Sequence, residues 1–295
     1  MENTLMLPQT SLLEKAQQVF DTMDISEITR LDYRKAIKHF ISFLSGKNLT
    51  HNSFLEFKQS LALRTDIGVS SKNKYLISAR ILLKEMNRTG LLPADITQNT
   101  KGFKQGKKHK RDGLNNSDIE ALTEKINSMP ETPANIRFKA LASLLIFQGL
   151  RQVEITRLDV TDIDLKQNIV MILGKGEDDK VPAPIHPAAA KYLSHYISFA
   201  NITEGPLFFY KQRLCTRSIR RIVKKELIAS NINNTTHGFR HFFTTTLIKQ
   251  FKGNLLQVAQ HTRHKSLDTL QIYNDDILAK ESLPQYYSAF SNINL

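Results

Sequence analysis

The feature that most constrains the fold is the run KGFKQGKKHKR at residues 101–111, which separates two stretches of chain with apolar periodicity. The run holds six lysines and arginines, two glycines and no acidic residue. Such a segment cannot enter a hydrophobic core and is typical of a flexible, basic linker. The chain of 295 residues is long enough for two domains. We therefore predict a first domain at 1–98, a linker at 99–113 and a second domain at 114–295.

The charge of the chain indicates a polyanionic partner. Lysine and arginine total 41 against 28 acidic residues, a formal net charge of +13, which favours nucleic acid first and an anionic membrane second. The sequence has no run of the ~18–20 apolar residues that a spanning helix requires. The start, MENTLMLPQT, does not have the pattern of a signal peptide. The single cysteine, Cys215, excludes an internal disulfide framework. We expect a cytoplasmic protein that does not bind membranes.

The first domain is predicted to be helical. In SEITRLDYRKAIKHFISFLSG the apolar residues follow the 3.6-residue period of one buried face: Tyr33, Ala36, Ile37, Phe40, Ile41 and Leu44. Ser26 is a suitable N-cap for this helix and Gly46 a suitable stop. The segment SSKNKYLISARILLKEMNRTG repeats the pattern and places basic residues on its predicted solvent-exposed face: Lys72, Lys74, Arg80 and Lys84.

The second domain is predicted to be mostly helical with a small sheet, so the whole chain is mainly α. Ser117 and Glu120 form a candidate capping box, and FKALASLLIFQGL is a strongly apolar helical segment. NIVMIL and KVPAPI flank the turn GKGEDD and are typical of a β-hairpin. The segment TRSIRRIVKKELIAS combines an apolar stripe with many cations, which suits a helix on DNA better than one on a membrane.

Four short segments of the second domain could carry chemistry. They are GLRQVEI with Arg151, the turn GKG with Lys175, HGFRH with His237 and Arg240, and TRHKSLDTLQIY with His264 and Tyr273. Taken singly, each residue is more often structural, because a lone tyrosine usually packs in a core and a lone histidine is usually a satisfied polar group.

Metal binding is an alternative explanation of HGFRH, since His237 and His241 have the i,i+4 spacing of a zinc-binding helix. However, no glutamate lies between them as in HExxH, and the cation of Arg240 would repel a metal ion. A cluster of cations that grips an anion explains the motif better.

The order Arg, Lys, His-x-x-Arg, His, Tyr resembles the tyrosine recombinase (phage integrase) family, and the helical front domain, linker and size resemble its Xer-like members. The resemblance implies an N-terminal helical core-binding (SAM-like) domain followed by an α+β catalytic domain. The family usually has glycine directly before the histidine that precedes the tyrosine. This chain has Arg263 there, a residue that could contact DNA.

The resemblance implies a role for each motif residue. Arg151, Arg240 and His264 would stabilise the charge on the phosphate oxygens, a task suited to the planar, permanently charged guanidinium group. Tyr273 would be the nucleophile, His237 its proton acceptor and Lys175 the general acid. Glu154 would hold an active-site cation, with a surface i,i+3 ion pair as the alternative. His241 would support the site or pack in the core.

The implied reaction is site-specific DNA recombination through a 3′-phosphotyrosyl link and a Holliday junction, performed by a homo-tetramer on two duplex sites. No cofactor is expected, because the sequence has neither a Walker-type loop nor an evident acidic cluster for two metal ions. A partner recombinase or accessory DNA-bending proteins remain open. Further residues are predicted to contact DNA: Lys72, Lys74, Lys104, Lys107, Lys108, Lys110, Arg111, Arg217, Arg220 and Arg221.

Two alternatives and one further element stay open. The chain could be a non-catalytic DNA-binding regulator on the same fold, or a telomere resolvase or type IB topoisomerase-like enzyme that shares the chemistry. The apolar C-terminal segment contains Leu283, Tyr286, Tyr287 and Phe290. It could dock onto a neighbouring protomer, as the resemblance implies, or pack on its own domain.

Overall fold

The computed structural model of the chain describes residues 9–106, 113–174 and 176–289. The chain divides into two units, Met1–Gly106 and Lys107–Leu295. Several residues with predicted functions lie outside the described residues: Lys107, Lys108, Lys110, Arg111 and Lys175. Within the described ranges, no helix is both long and apolar enough to cross a membrane.

The described part of the first unit consists of four helices: α1 (Gln9–Thr22), α2 (Glu27–Phe43), α3 (Ser53–Leu63) and α4 (Val69–Arg88). Ser26 is the N-cap of α2, and its hydroxyl accepts the backbone N–H of Thr29. The apolar stripe of α2 is buried as its period predicts, except that Tyr33 is only partly buried. The stripe packs on α4, whose own buried face consists of Leu76, Ser78, Ala79, Leu82, Leu83 and Met86.

The first part of the predicted linker is attached to α4 rather than free. The Asn73 side chain donates to the carbonyl of Phe103 at 3.0 Å and accepts the N–H of the same residue at 2.8 Å. The ring of Phe103 packs against the core of this unit, with the ammonium group of Lys72 5.8 Å from its centre. Phe103 thus attaches the start of the predicted linker to the first unit.

The described part of the second unit begins with α5 and ends with α13. Its helices are α5 (Asn116–Ser128), α6 (Pro133–Gln148), α7 (Gln152–Arg157), α8 (Pro187–Phe199), α9 (Thr216–Ile228), α10 (Thr236–Gln250), α11 (Leu255–Thr262), α12 (Leu267–Glu281) and α13 (Leu283–Ala289). Its strands are β1 (Ile163–Asp164), β2 (Ile169–Leu173), β3 (Lys180–Pro184), β4 (Phe209–Tyr210) and β5 (Gln212–Arg213). The prediction of a mainly helical chain with a small sheet is confirmed.

The sheet is antiparallel in the order β1-β2-β3, and the predicted hairpin is its β2–β3 pair, in which Val170 faces Ala183. Helix α6 is almost wholly buried and is the centre of the core, between α8 and α10. This burial explains why FKALASLLIFQGL is apolar on every side.

The predicted capping box at Ser117 and Glu120 is wrong by two residues. The N-cap of α5 is Asn115, whose side chain accepts the N–H of Asp118, while the Asp118 carboxylate accepts the N–H of Asn115. Leu114 before this cap lies in the core and Ile119 packs against that core. These apolar contacts on both sides of the cap stabilise the start of the helix.

Candidate active site

Arg151 lies at the junction of α6 and α7. Helix α6 ends at Gln148, and Gly149 then adopts a left-handed conformation with φ +55°. This turn leaves Arg151 in extended conformation as the N-cap of α7 rather than within a helix. The carboxylate of Glu154 accepts the backbone N–H of Arg151 at 2.8 Å and its Nη1–H at 2.7 Å. The alternative of a surface ion pair is wrong, because the Glu154 side chain is 1% exposed.

Arg240 is buried beneath this junction, on the first turns of α10. Its Nη1–H donates to the carbonyl of Gly149 at 2.8 Å and its Nη2–H donates to the carbonyl of Thr262. Burial, together with the positive charge of Arg151, lowers the pKa of Arg240 to about 10. The guanidinium group therefore stays charged at neutral pH, and the structure holds this cation in place before any anion binds.

His264 contacts Arg240, and its hydrogen bonds define its tautomer. The hydroxyl of Thr262 donates to the carbonyl of Val258 at 2.8 Å, so its oxygen must accept the Nδ1–H of His264 at 2.7 Å. The Nε2 atom then has a lone pair, which faces Nη2 of Arg240 at 3.4 Å. Burial and the charges of Arg240 and Arg151 lower the pKa of His264 to about 3. The imidazole is therefore neutral in the protein without DNA.

Tyr273 is a buried residue of α12, with 3% of its surface exposed. Its ring belongs to a small core with Ile248, Val258, Leu270 and Ile277. Burial raises the pKa of the Tyr273 phenol, while the charges of Arg240 and Arg151 act in the opposite direction. Both arginines are thus close enough to stabilise a phenolate electrostatically. The phenol is nevertheless protonated at neutral pH, so an attack by Tyr273 requires a proton acceptor.

The two histidines of HGFRH occupy different environments. His237 is exposed on the first turn of α10, whereas His241 is buried and its ring centre lies 4.6 Å from that of Tyr273. The rings of His237 and His241 meet edge to face, with centres 5.4 Å apart. His237 also lowers the pKa of His264 through its charge, which places it at the rim of the same cluster. Among the described residues, no group of three or more His, Cys, Asp or Glu side chains could hold a metal ion.

The hairpin turn that contains position 175 is connected to the same cluster. Lys265, the residue after His264, forms an ion pair with Glu177 in the turn. At the end of β2 the carbonyl of Gly174 accepts a hydrogen bond from Nη1 of Arg157 at 2.6 Å. The described residues on both sides of Lys175 therefore contact α7 and the segment that carries His264, although Lys175 itself lies outside the described residues.

Arg263 points into the protein, contrary to the suggestion that it contacts DNA. It ends α11 in a left-handed conformation, with φ +54° and ψ 43°. Its side chain is 12% exposed, and its Nη2 lies 3.4 Å from Oε2 of Glu154. The same nitrogen donates to the carbonyl of Gln148 at 3.3 Å, and Nη1 donates to that of His261 at 3.0 Å.

The basic residues predicted to contact DNA are distributed over both units. Three lie on the exposed side of α9: Arg217, Arg220 and Arg221. Within the described residues none of these three forms an ion pair with an acidic side chain. In the first unit Lys104 is exposed, Lys74 pairs with Asp32 at 3.1 Å and Lys72 donates to the carbonyl of Ala62. Their contact with DNA stays a prediction.

Several supporting residues were not evident from the sequence. Thr262 orients His264, Gly149 supplies a carbonyl to Arg240, and Gln152 donates to the hydroxyl of Thr236 and so joins α7 to α10. The only local signal was the sequence QGLR, in which glycine after an apolar helix is typical of a helix end. The contacts of Thr262 and Gln152 depend on tertiary packing, which local patterns do not record.

The arrangement can stabilise an anion and activate a phenol. Two arginines and a histidine converge on one region, a third arginine and a buried glutamate lie behind them, and Tyr273 lies within reach of their charges. This is the combination that in-line substitution at a phosphodiester requires.

Comparisons with known proteins agree with this chemistry. The phage integrase family model matches residues 113–278. The tyrosine recombinase XerD of Staphylococcus epidermidis is 26% identical over 275 residues, which cover 88% of this chain and 90% of that protein. The tyrosine recombinase XerC of Proteus mirabilis is 25% identical over 274 residues, which cover 81% of this chain and 88% of that protein.

Solved structures show the same fold. The XerH site-specific recombinase in a post-cleavage complex with a palindromic difH substrate matches with a TM-score of 0.78 and 17% identity, over 97% of this chain and all of that one. A lambda integrase dimer bound to a COC′ core site matches with a TM-score of 0.72 and 16% identity, over 93% of this chain and 78% of that one.

Proposed function

The chain belongs to the phage integrase family, and we propose on this premise that Tyr273 is the nucleophile of a site-specific tyrosine recombinase that cleaves and rejoins DNA. The observation that carries the proposal is the arrangement around Tyr273: Arg240 lies 3.4 Å from His264, and the ring of the adjacent His241 packs on the Tyr273 ring with centres 4.6 Å apart. The positive charges of Arg240 and Arg151 favour the ionised form of the Tyr273 oxygen, against burial, which opposes it.

Arg151, Arg240 and His264 are proposed to bind the non-bridging oxygens of the scissile phosphate. Arg240 is fixed by two backbone carbonyls, which leaves the more exposed Arg151 to meet the DNA from outside. His264 directs the lone pair of Nε2 towards this region, so it can donate to phosphate only after it gains a proton or changes tautomer. A bound phosphodiester favours that proton because its negative charge opposes the effect of the two arginines.

In the proposed cleavage step the Tyr273 oxygen bonds to phosphorus and the bond from phosphorus to the 5′ oxygen breaks. The phenolic proton passes to His237, and the departing 5′ oxygen receives a proton from Lys175. The product is a 3′-phosphotyrosyl ester. Because one phosphoester replaces another, the reverse attack by a 5′-hydroxyl reseals a strand without ATP. The attack requires a movement of α12, since Tyr273 is 3% exposed.

Recombination is proposed to take place in a homo-tetramer on two duplex sites, through a Holliday junction. The described part of α13 supports contacts between protomers, because none of its residues is buried and Leu283, Tyr286 and Tyr287 are 43–65% exposed. A second copy would cover this apolar surface.

The proposal for α13 is tested by ending the chain after Ser282. Ile277 in α12 is buried and α13 has no buried residue, so this truncation removes the surface without opening the core. We expect the truncated protein to retain its melting temperature and to cleave single sites, but to lose complexes that hold two DNA sites in gel-shift assays. Unchanged two-site complexes would contradict docking by α13.

The function is tested by covalent capture. The protein is incubated with fragmented DNA of its source organism in EDTA, denatured, and the DNA that remains attached is sequenced. The site found is then placed in a synthetic duplex with a nick next to the cleavage position, which traps the covalent complex because the short strand diffuses away. We expect wild-type protein to become attached and Tyr273→Phe to bind the same duplex without attachment.

Two further outcomes identify the alternative functions. A non-catalytic DNA-binding regulator would bind the enriched site without any covalent product. A telomere resolvase or type IB topoisomerase-like enzyme would form the adduct but would not exchange partners. A plasmid with two copies of the site distinguishes these, because only a recombinase yields two product circles or an inverted segment.

A further inference from the structure

We propose that Arg263 is a positioning residue, which pairs with Glu154 and thereby holds Arg151 in place for the phosphate. The inference rests on the proposed function and assigns a role to a position where the family usually has glycine. The Arg263 side chain runs inwards and contacts Glu154.

Within the described residues Glu154 is the only acidic side chain that pairs with Arg151 or Arg263, and its two oxygens have different partners. Oε1 accepts from Nη1 of Arg151 at 2.7 Å. Oε2 accepts the backbone N–H of Arg151 at 2.8 Å and lies 3.4 Å from Nη2 of Arg263. Arg151 is therefore held through both its main chain and its side chain by one carboxylate, and loss of that negative charge weakens both contacts.

The charge of Glu154 depends on Arg263. Burial raises the pKa of this carboxyl group, but the charges of Arg263 and Arg151 and two hydrogen bonds from Arg151 outweigh burial and hold the pKa below its ordinary value. Among these opposing influences, the charge of Arg263 is the largest. Without Arg263 the buried carboxylate keeps only the positive charges of Arg151 and Arg240 near it and is easier to protonate.

Arg263 is not explained by stability alone. The residue adopts φ +54°, a conformation that favours glycine. Its side chain is largely buried, yet Nε has no hydrogen-bond partner among the described residues. A strained backbone and an unsatisfied donor are unfavourable for folding, and such features are retained mostly at functional sites.

The position of Arg263 also joins three parts of the site. Its guanidinium group contacts the end of α6 at Gln148, the last turn of α11 at His261 and α7 at Glu154. Arg151 follows the first of these elements, and His264 follows Arg263 directly. The arginine therefore adds a third positive charge behind the phosphate and fixes the relative positions of the two elements that supply Arg151 and His264.

The test compares Arg263→Lys and Arg263→Met, which have a similar backbone cost because both side chains are unbranched at Cβ. The probe is the nicked duplex that carries the site found by covalent capture, and the measurement is the rate of adduct formation from pH 5.5 to 8.5. The ratio of wild-type to variant rate removes contributions that are common to both proteins.

For Arg263→Met we expect this ratio to rise by about twofold or more at the acid end of the range, because the loss of one positive charge raises the pKa of Glu154. At the high end of the range the rate should recover towards wild type. Arg263→Lys keeps the charge, so its ratio should stay nearly constant with pH. A purely structural defect would not be corrected by raising the pH.

Two controls complete the test. Arg263→Gly replaces Met if the latter does not fold, since glycine accepts the left-handed conformation. In a Glu154→Gln background, Arg263→Met should add no further pH dependence, because the carboxyl group through which it acts is gone. The inference is overturned if Met, Gly and wild type share one pH profile. If wild type itself forms no adduct, the proposed function fails instead.

Discussion

The ring of His241 lies against the ring of Tyr273, with centres 4.6 Å apart and planes inclined at 57°. The exposed His237 makes its ring contact with His241. The two histidines of HGFRH thus separate into a buried support and a residue at the rim, and substitutions should affect them differently.

His237→Ala should leave the melting temperature unchanged, since exposed substitutions usually alter the free energy of unfolding by less than about 0.5 kcal/mol. It should reduce covalent attachment about 100-fold or more if His237 is the proton acceptor. His241→Ala removes a buried ring and should lower the free energy of unfolding by roughly 2 kcal/mol. Thermal melts and suicide-duplex assays on both variants check this. The reverse pattern would assign proton transfer to His241.

The sequence predicted elements whose patterns are local and failed where distant contacts decide. The period of α2, the β2–β3 hairpin and the order of the motif residues are visible over short spans of chain. By contrast, Asn115 and Ser117 are both acceptable caps, and only the burial of Leu114 selects the first. The contact of Arg263 with Glu154 joins residues 109 positions apart, so the sequence could show an unusual residue but not its direction.

Thr262→Val tests how His264 is held. The change removes the acceptor of Nδ1–H at 2.7 Å and leaves a buried donor unsatisfied, which should cost about 1–3 kcal/mol. Adduct formation should fall as well, because the ring loses its orientation. Thr244→Val is the matched control: Thr244 is also fully buried, but its hydroxyl has no hydrogen-bond partner among the described residues. Thr244→Val should leave the free energy of unfolding unchanged or raise it slightly. Equal melting temperatures for the two variants would contradict the hydrogen bond between Thr262 and His264.

In the absence of DNA, His264 should make the free energy of unfolding decrease as the pH falls. The folded pKa of about 3 lies below the unfolded value of 6.5, so the unfolded state binds the proton first between these values. The contribution of His264 to the free energy of unfolding is therefore full above pH 6.5 and decreases as the pH falls. At pH 5 the decrease is at most about 2 kcal/mol. Glu154 contributes only at lower pH, because its lowered pKa places its loss below 4.5.

Urea unfolding at pH 7.5 and pH 5 measures this effect. His264→Asn cannot titrate and should show a smaller difference between the two pH values than wild type. Identical differences in the two proteins would mean that folding does not change the pKa of His264.

Gly149→Ala should disturb both the fold and the phosphate site. At φ +55° a side chain is strained, and a Cβ atom would lie 2.3 Å from the ring of Phe243. Strain and overpacking together should cost about 2–4 kcal/mol, and the displaced carbonyl of Gly149 would no longer hold Arg240. Gly205→Ala has a similar φ of +78° but open space around the site of the new Cβ. It should cost only about 1 kcal/mol and leave cleavage intact.

The exposed arginines of α9 should determine how DNA affinity depends on salt. Arg220 has no ion-pair partner among the described acidic side chains, whereas Arg213 pairs with Asp159 and donates to two carbonyls. Arg220→Gln and Arg213→Gln each remove one positive charge. Comparing them therefore distinguishes the loss of a direct phosphate contact from the effect of a lower net charge on DNA affinity. If Arg220 neutralises one phosphate, its loss should reduce the slope of log affinity against log salt by about 1. Arg213→Gln should leave the slope unchanged and lower the melting temperature. Equal slopes for both variants would show that the DNA does not lie along this side of α9.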